Sequence, residues 1–113
     1  MTTITISQAQ YDEAIQRIHA AGLQHRVQVL LKDYRLLQGQ FDKLVSIEMI
    51  EAVGAQYLPI YFEKCRQLLK PNGLALIQAI TIEDARYQKA LHSIDYIKRY
   101  IFPGSFIPCI SVL

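Results

Sequence analysis

A chain of 113 residues with 51% hydrophobic content makes one globular unit at most, burying roughly two-thirds of its extended surface. Twelve basic residues stand against ten acidic ones, spread along the sequence, for a net charge of +2. No basic run is long enough to release many counterions from a polyanion, so nucleic acid is not an expected partner, and the Lys98-Arg99 pair is too small to change that. The first residues show no charged start, apolar run and small-residue cleavage site, so a secretory signal is not expected. The longest apolar runs fall far short of the ~20 residues that cross a bilayer.

The elements alternate. Residues 2–6 are β-branched and predict a strand. Ser7 then predicts an N-cap, and Gln10 completes a capping-box pattern. Tyr11, Ala14, Ile15 and Ile18 follow at helical spacing, and Gly22 suits the stop. Residues 27–31 predict a second strand, ending at Lys32-Asp33-Tyr34, and residues 43–47 a third. Leu58, Tyr61, Phe62, Cys65, Leu68 and Leu69 mark a second amphipathic helix, which tolerates Pro59 only in its first turn. Pro71-Asn72-Gly73 predicts a turn, and residues 74–82 a long apolar fourth strand. From Asp84 a weaker helical pattern runs through Leu91, Ile94 and Ile101 until Phe102-Pro103-Gly104 breaks it. In the amphipathic stretch from Leu91 to Phe102, core packing is the simpler reading and lipid contact the alternative. Near-continuous apolar strands alternating with helices predict an α/β domain whose mostly parallel sheet is covered on both faces.

Parallel sheets bring the carboxyl ends of their strands to one edge, where ligands bind. Thr5, Ser7, Asp33, Glu48, Glu51, Gln78 and Thr81 all lie at or just past such ends. Several have plain alternatives: Ser7 and Gln10 cap a helix, Asp33 is a solvated loop acid, Glu48 is surface polarity. Glu51, flanked by Ile50, Ala52 and Val53, is harder to dismiss, because a carboxylate there must find partners or shift its pKa. His19, His25 and His92 share no ligand spacing with one another or with the cysteines, so no metal site is expected. Cys65 and Cys109 have neither metal-ligand nor disulfide-framework spacing. Cys65 falls at a core position and reads as a free buried thiol, in keeping with a cytoplasmic setting. No glycine-rich dinucleotide fingerprint, phosphate loop or nucleophile elbow occurs.

Several segments together carry a family resemblance. They are Thr3-Ile4-Thr5-Ile6-Ser7-Gln8-Ala9-Gln10, Lys32-Asp33-Tyr34-Arg35, and the run from Gln40 to Gly54 that contains Ser46-Ile47-Glu48-Met49-Ile50-Glu51. Tyr57-Leu58-Pro59-Ile60-Tyr61-Phe62, Leu69-Lys70-Pro71-Asn72-Gly73 and Arg99-Tyr100-Ile101-Phe102-Pro103-Gly104 follow in order. On these the chain resembles the cyclopropane-fatty-acyl-phospholipid synthase and mycolic-acid cyclopropane synthase family, S-adenosylmethionine-dependent methyltransferases acting on lipids. The resemblance implies a Rossmann-like class I methyltransferase fold.

By position, Thr5 and Gln10 resemble the residues that hold the methionine-ribose side of S-adenosylmethionine. Asp33 and Tyr34 resemble the adenine contacts. Glu51 matches a glutamate that helps bind bicarbonate beside the reacting carbon, and Ile80 a position whose backbone helps hold that ion. Gln78 and Ala52 stand where the family often has histidines, and a glutamine amide donates a hydrogen bond without carrying charge. The implied reaction is attack of a cis double bond of an unsaturated phospholipid acyl chain on the sulfonium methyl, with bicarbonate then removing a proton so that the ring closes. The implied setting is cytoplasmic, peripheral to the inner face of the membrane.

The resemblance also implies that residues 1–113 are the central segment of a truncated domain. The family's first strand and glycine-rich loop precede the matched region, and its lid and last active-site residues follow it. In the family fold that first strand lies between the strands at residues 2–6 and 43–47, so two strand edges would lack ladder partners. The chain alone is therefore expected to have little or no activity. The alternatives are a related methyltransferase without ring closure, acting on a fatty acid or small amine, and a non-catalytic remnant whose edge strands dock partners.

Overall fold

The computed structural model describes residues 1–94 and 96–113, and the chain divides into two compact units, Met1–Gly39 and Gln40–Leu113. The first is a βαβ unit: β1 (Thr2–Thr5), α1 (Gln8–Ala20) and β2 (Gln28–Leu31). The strands pair in parallel, with Thr2 opposite Gln28 and Thr5 opposite Leu31. Threonine and isoleucine suit β1 because branching at Cβ restricts the side chain to rotamers that fit an extended backbone. Ser7 caps α1 as expected, its hydroxyl accepting the Gln10 N–H at 3.3 Å. The return arm of the capping box is not made. Instead the Thr5 hydroxyl accepts the Ser7 N–H at 3.1 Å and donates to Gln10 Oε1 at 2.7 Å. A hydroxyl can do both at once, so it displaces the longer glutamine side chain from the cap.

Gly22 ends α1 with φ +66°, the left-handed conformation that costs a residue with a Cβ. Its N–H reaches the His19 carbonyl at 3.0 Å and the Leu23 N–H reaches Ile18 at 2.9 Å, so two carbonyls of the last turn are satisfied. Tyr11, Ala14, Ile15 and Ile18 form the half-buried stripe of α1, which packs on both strands, and Val29 is the buried residue beneath it.

The second unit contains β3 (Phe41–Ile47), α2 (Leu58–Leu68), β4 (Leu69–Gln78) and α3 (Asp84–His92). β3 and β4 are parallel, from Lys43 opposite Leu74 to Ile47 opposite Gln78. The expected strand at residues 74–82 both starts and stops earlier. Phe41 already pairs with Leu69, and residues 70–73 then bulge opposite Asp42 alone, so the Pro71-Asn72-Gly73 turn is absorbed within β4. Position 73 is tight: a Cβ there would lie 2.9 Å from Leu69 Cδ2 and 3.1 Å from the Lys70 and Phe41 carbonyls, so a larger residue must push its neighbours aside. Beyond Gln78 the ladder ends, save for a bridge between Ile82 and Cys109.

α2 covers one face of this pair. Tyr61, only 1% exposed, sends its hydroxyl 2.8 Å to the buried Ser46 Oγ, and its burial is worth about 2 kcal/mol. Leu58, Cys65 and Leu68 complete the buried side of α2, and burial pushes the Cys65 thiol up. Both cysteines are free and buried. The opposite face departs from the expectation of cover on both sides: Val45, Ile47, Leu74 and Leu76 are all exposed. The strands form two separate parallel pairs, β1-β2 and β3-β4, so neither pair has a central strand walled in from above and below.

The helix expected from Asp84 to Ile101 is broken. α3 stops at His92, Asp95 of that pattern lies outside the described residues, and a separate π-helical turn spans Ile97–Ile101. Core packing of the stretch that follows α3 is also not found: Ile94, Tyr96, Tyr100, Ile101 and Phe102 are exposed. The hydrophobic centre lies elsewhere, where fully buried Ile50 is joined in the core by Phe106, Pro108 and Cys109. The Phe106 N–H donates to the Glu51 carbonyl at 3.1 Å, which ties the last residues to the turn after β3.

Candidate functional site

Each parallel pair gathers polar groups at its own carboxyl edge. In the first unit the register Thr5–Leu31 sets the end of β1 beside the end of β2, and the Lys32 N–H donates to the Thr5 carbonyl at 2.9 Å. Thr5 and Gln10 are brought together by their 2.7 Å hydrogen bond. Asp33 caps the 3-10 turn Tyr34–Leu36, accepting the Arg35 N–H at 2.9 Å, so Tyr34 stands directly after the strand end. Both Asp33 oxygens are engaged: Arg35 Nε donates to Oδ1 at 3.0 Å and its terminal nitrogen to Oδ2 at 2.6 Å. The Arg35 guanidinium and N–H hold this carboxyl below its ordinary 3.8. Thr5, Gln10, Asp33 and Tyr34 thus share one rim. A ligand that bonds Asp33 must displace Arg35 or share the carboxylate with it.

In the second unit the rim is built by Glu48, Glu51, Gln78 and Ile80. Glu48 has φ +48°, the single non-glycine with positive φ among the described residues, a conformation costing roughly 1 kcal/mol and typical of working sites. It is held by β4 twice, its N–H donating to the Gln78 carbonyl at 3.0 Å and its Oε1 accepting the Gln78 amide at 3.2 Å. The reversal at Glu48 carries the chain into the turn Ile50–Ala52 and brings Glu51 over the end of β4. Its Oε1 accepts the Ile80 N–H at 2.6 Å, a charge-assisted bond across 29 residues. Its Oε2 is buried and has no hydrogen-bond partner. A buried carboxylate oxygen left this way costs of order 1–3 kcal/mol and marks a place for a donor.

The expected site residues are therefore placed as follows. Glu51 and Ile80 meet directly, but the Ile80 N–H is spent on Glu51 and is not offered to an ion. Gln78 bonds Glu48 and does not reach Glu51. Glu48 was read only as an acid near a strand end; its backbone conformation and its grip on Gln78 carry no sequence signal, because nothing in the residue type announces a positive φ. An open hollow of about 570 Å³ in the first unit lies at the start of the strands, lined by Met1, Thr2 and Gln28 among others, and does not touch the rim there. Among the described residues no cluster of three ligating side chains could hold a metal.

Two parallel βαβ units with polar carboxyl edges define a Rossmann-like α/β fold, and solved structures specify it as that of class I methyltransferases. The fold matches the cyclopropane synthase MmaA2 from Mycobacterium tuberculosis, with TM-score 0.80 at 20% identity over 98% of this chain and 42% of that chain. It matches mycolic acid cyclopropane synthase CmaA1, complexed with SAH and CTAB, equally well at 0.80 and 24% identity, again over 98% and 42%. The chain belongs to the mycolic acid cyclopropane synthetase family, whose model matches residues 1–113.

Among relatives, it is 46% identical over 106 residues to tuberculostearic acid methyltransferase UfaA1 of Mycobacterium tuberculosis, covering 94% of this chain and 25% of that protein. To the cyclopropane-fatty-acyl-phospholipid synthase of Escherichia coli K12 it is 36% identical over 107 residues, covering 95% and 26%. The chain thus spans about a quarter of the length of these relatives.

Proposed function

We propose that this chain is the central segment of a methyltransferase that adds one carbon from S-adenosylmethionine to the cis double bond of an unsaturated acyl chain. Family membership supports the reaction class, and the orphaned Glu51 Oε2 carries the site. Thr5, Gln10, Asp33 and Tyr34 would hold the cofactor, which when bound supplies an electrophilic methyl group. Their chemistry fits: Tyr34 offers a flat apolar wall, and Thr5, Gln10 and Asp33 offer acceptors that already lie along one strand edge.

Glu51 fits an oxyanion that carries one proton, such as bicarbonate. Its free oxygen accepts a hydrogen bond, and the Ile80 N–H fixes the carboxylate so that this oxygen does not swing away. The bound anion would supply a proton acceptor for ring closure. Glu51 is then a positioning group and not a nucleophile. Ile50, beside Glu51 in the chain, and Phe106, whose N–H bonds the Glu51 carbonyl, are both buried and supply the apolar side that a cationic reaction centre requires.

A second reading, methylation without ring closure, is favoured by one observation. Gln78, where the family often has histidine, turns its amide to Glu48, so it adds no donor beside Glu51. The 46% identical relative is named a tuberculostearic acid methyltransferase and not a cyclopropane synthase.

The test is a chimera in which residues 1–113 replace the matched stretch of the E. coli synthase, expressed in a host lacking that enzyme. Both readings predict phospholipid acyl chains heavier by one CH₂. Mild hydrogenation then adds two hydrogens to a methylene-branched product and none to a cyclopropane. A chimera that folds and binds S-adenosylmethionine yet leaves every acyl chain unchanged would refute both, and favour a non-catalytic remnant.

A further inference from the structure

Past the end of β4 the chain is stitched to its own last residues by a closed set of contacts around Glu51. The Glu51 carboxylate accepts the Ile80 N–H at 2.6 Å, and the Glu51 carbonyl accepts the Phe106 N–H at 3.1 Å. The two donors are themselves linked. Ile82, two residues after Ile80, donates its N–H at 2.9 Å to the carbonyl of Pro108, two residues after Phe106. Residues 80–82 and 106–109 therefore run side by side in parallel, with Ile82 opposite Cys109. This strip grips Glu51 at both ends, its side chain from one segment and its backbone from the other. Phe106, Pro108 and Cys109 are buried along it.

A single backbone bridge specifies register weakly, because a slip costs few bonds. Asp84 supplies the lock. Its Oδ1 accepts the Ser111 hydroxyl at 2.6 Å and the Ser111 N–H at 3.3 Å, so a side chain carries on the pairing where the backbone ladder stops. The Cys109 Sγ lies 3.3 Å from the same hydroxyl. Asp84 is the first residue of α3, where the free amide dipoles favour an ionised carboxylate that only accepts. Bonds from the Cys109 thiol and from Ser111 hold this carboxyl below its ordinary 3.8. The neighbouring acid behaves differently: Glu83 stays local, 3.3 Å from Arg86 Nε, whereas Asp84 reaches 27 residues along the chain.

We propose that Asp84 and Ser111 are positioning residues for Glu51. Their contact fixes the register of the strip, and the strip fixes the Ile80 N–H and the Glu51 backbone relative to each other. Glu51 Oε2 is thereby held buried and open to a donor. Releasing Asp84 from Ser111 loosens both fastenings of Glu51 together, and its carboxylate turns to water. The geometric part stands without the methyl-transfer reading, and the catalytic consequence rests on that reading.

The experiment follows amide hydrogen exchange in the full chain by NMR, because the Ile80 N–H reports the grip on the Glu51 carboxylate. Asp84→Ala should speed exchange at Ile80 and Phe106 about tenfold. Ser111→Ala keeps the Ser111 N–H and should speed it about threefold, a milder variant that preserves the start of α3. Asp84→Asn retains an acceptor oxygen and should recover most of the loss. The Glu48 N–H, bonded to the Gln78 carbonyl on the same rim, should be unchanged in all three, whereas a general loss of stability would speed it equally. Glu83→Ala, which removes the adjacent acid, should leave Ile80 unchanged. In the chimera, Asp84→Ala should lower kcat about tenfold with the KM for S-adenosylmethionine unchanged. The proposal is overturned if Asp84→Ala leaves Ile80 exchange as it was, if Glu48 speeds up as much as Ile80, if Glu83→Ala acts like Asp84→Ala, or if an active chimera keeps its kcat. A chimera inactive even without these substitutions, with the selective Ile80 effect present in the chain, would support the positioning and refute the methyl-transfer reading alone.

Discussion

Replacing Glu51 by alanine separates a functional carboxylate from a structural one. Two opposing quantities can be read from its surroundings. The 2.6 Å bond from the Ile80 N–H to Oε1 is charge-assisted and contributes about 1.5–3 kcal/mol. The buried, partnerless Oε2 costs about 1–3 kcal/mol. Ile80 is itself exposed, so its released N–H finds water and adds no further penalty. The carbonyl that accepts from Phe106 belongs to the backbone and survives the change. The two effects nearly cancel, and Glu51→Ala should shift folding stability by less than about 1 kcal/mol. Urea unfolding followed by circular dichroism, with parent and variant extrapolated linearly to water, measures this directly. In the chimera the same substitution should abolish one-carbon transfer. A loss of stability above about 2 kcal/mol would refute the reasoning, because Glu51 would then be a structural strut whose free oxygen is satisfied in solution.

The buried pair Ser46–Tyr61 makes a second test. Each of Ser46→Ala and Tyr61→Phe should cost about 1 kcal/mol, and the double variant less than their sum, the shortfall in a double-mutant cycle giving the 2.8 Å hydrogen bond. Gly22→Ala should destabilise by about 1 kcal/mol in the same urea assay, since its φ of +66° leaves a Cβ strained even where no atom crowds it. The Asp33 carboxyl, followed by NMR, should titrate below 3.8, and Arg35→Met should bring it back up. Because the folded-state value is the lower one, this interaction stabilises above the ordinary carboxylate range and fades as pH falls through the lowered value.

Sequence carried the local decisions well. Ser7 and Gly22 were legible as caps because capping depends on residues a few positions apart, and the parallel pairs were legible because their apolar runs alternate with helical periodicity. What escaped was set by distant partners. The Gln10 side chain was claimed by Thr5, a competition that a capping-box pattern does not register. Pro71-Asn72-Gly73 made a turn locally, yet β4 continued through it because Phe41 and Leu69 paired on the near side of the bulge. The exposed face of Val45 and Leu76 escaped because apolar content alone does not say what covers it.

At the site, the strand-end rule expected one shared edge; the strands instead form two separate pairs, with Thr5 and Asp33 at the end of one and Glu48 and Gln78 at the end of the other. It could not foresee which hydrogen-bond donors were already committed, as with Ile80 to Glu51 and Gln78 to Glu48.

The division of labour between the two rims is the central claim, and steady-state kinetics of the chimera tests it most directly. Asp33→Ala should raise the KM for S-adenosylmethionine with kcat largely retained, because Asp33 belongs to the rim assigned to the cofactor. Glu51→Gln should lower kcat with that KM unchanged. If Glu51→Gln weakened S-adenosylmethionine instead, or Asp33→Ala slowed turnover without touching KM, the assignment would be contradicted.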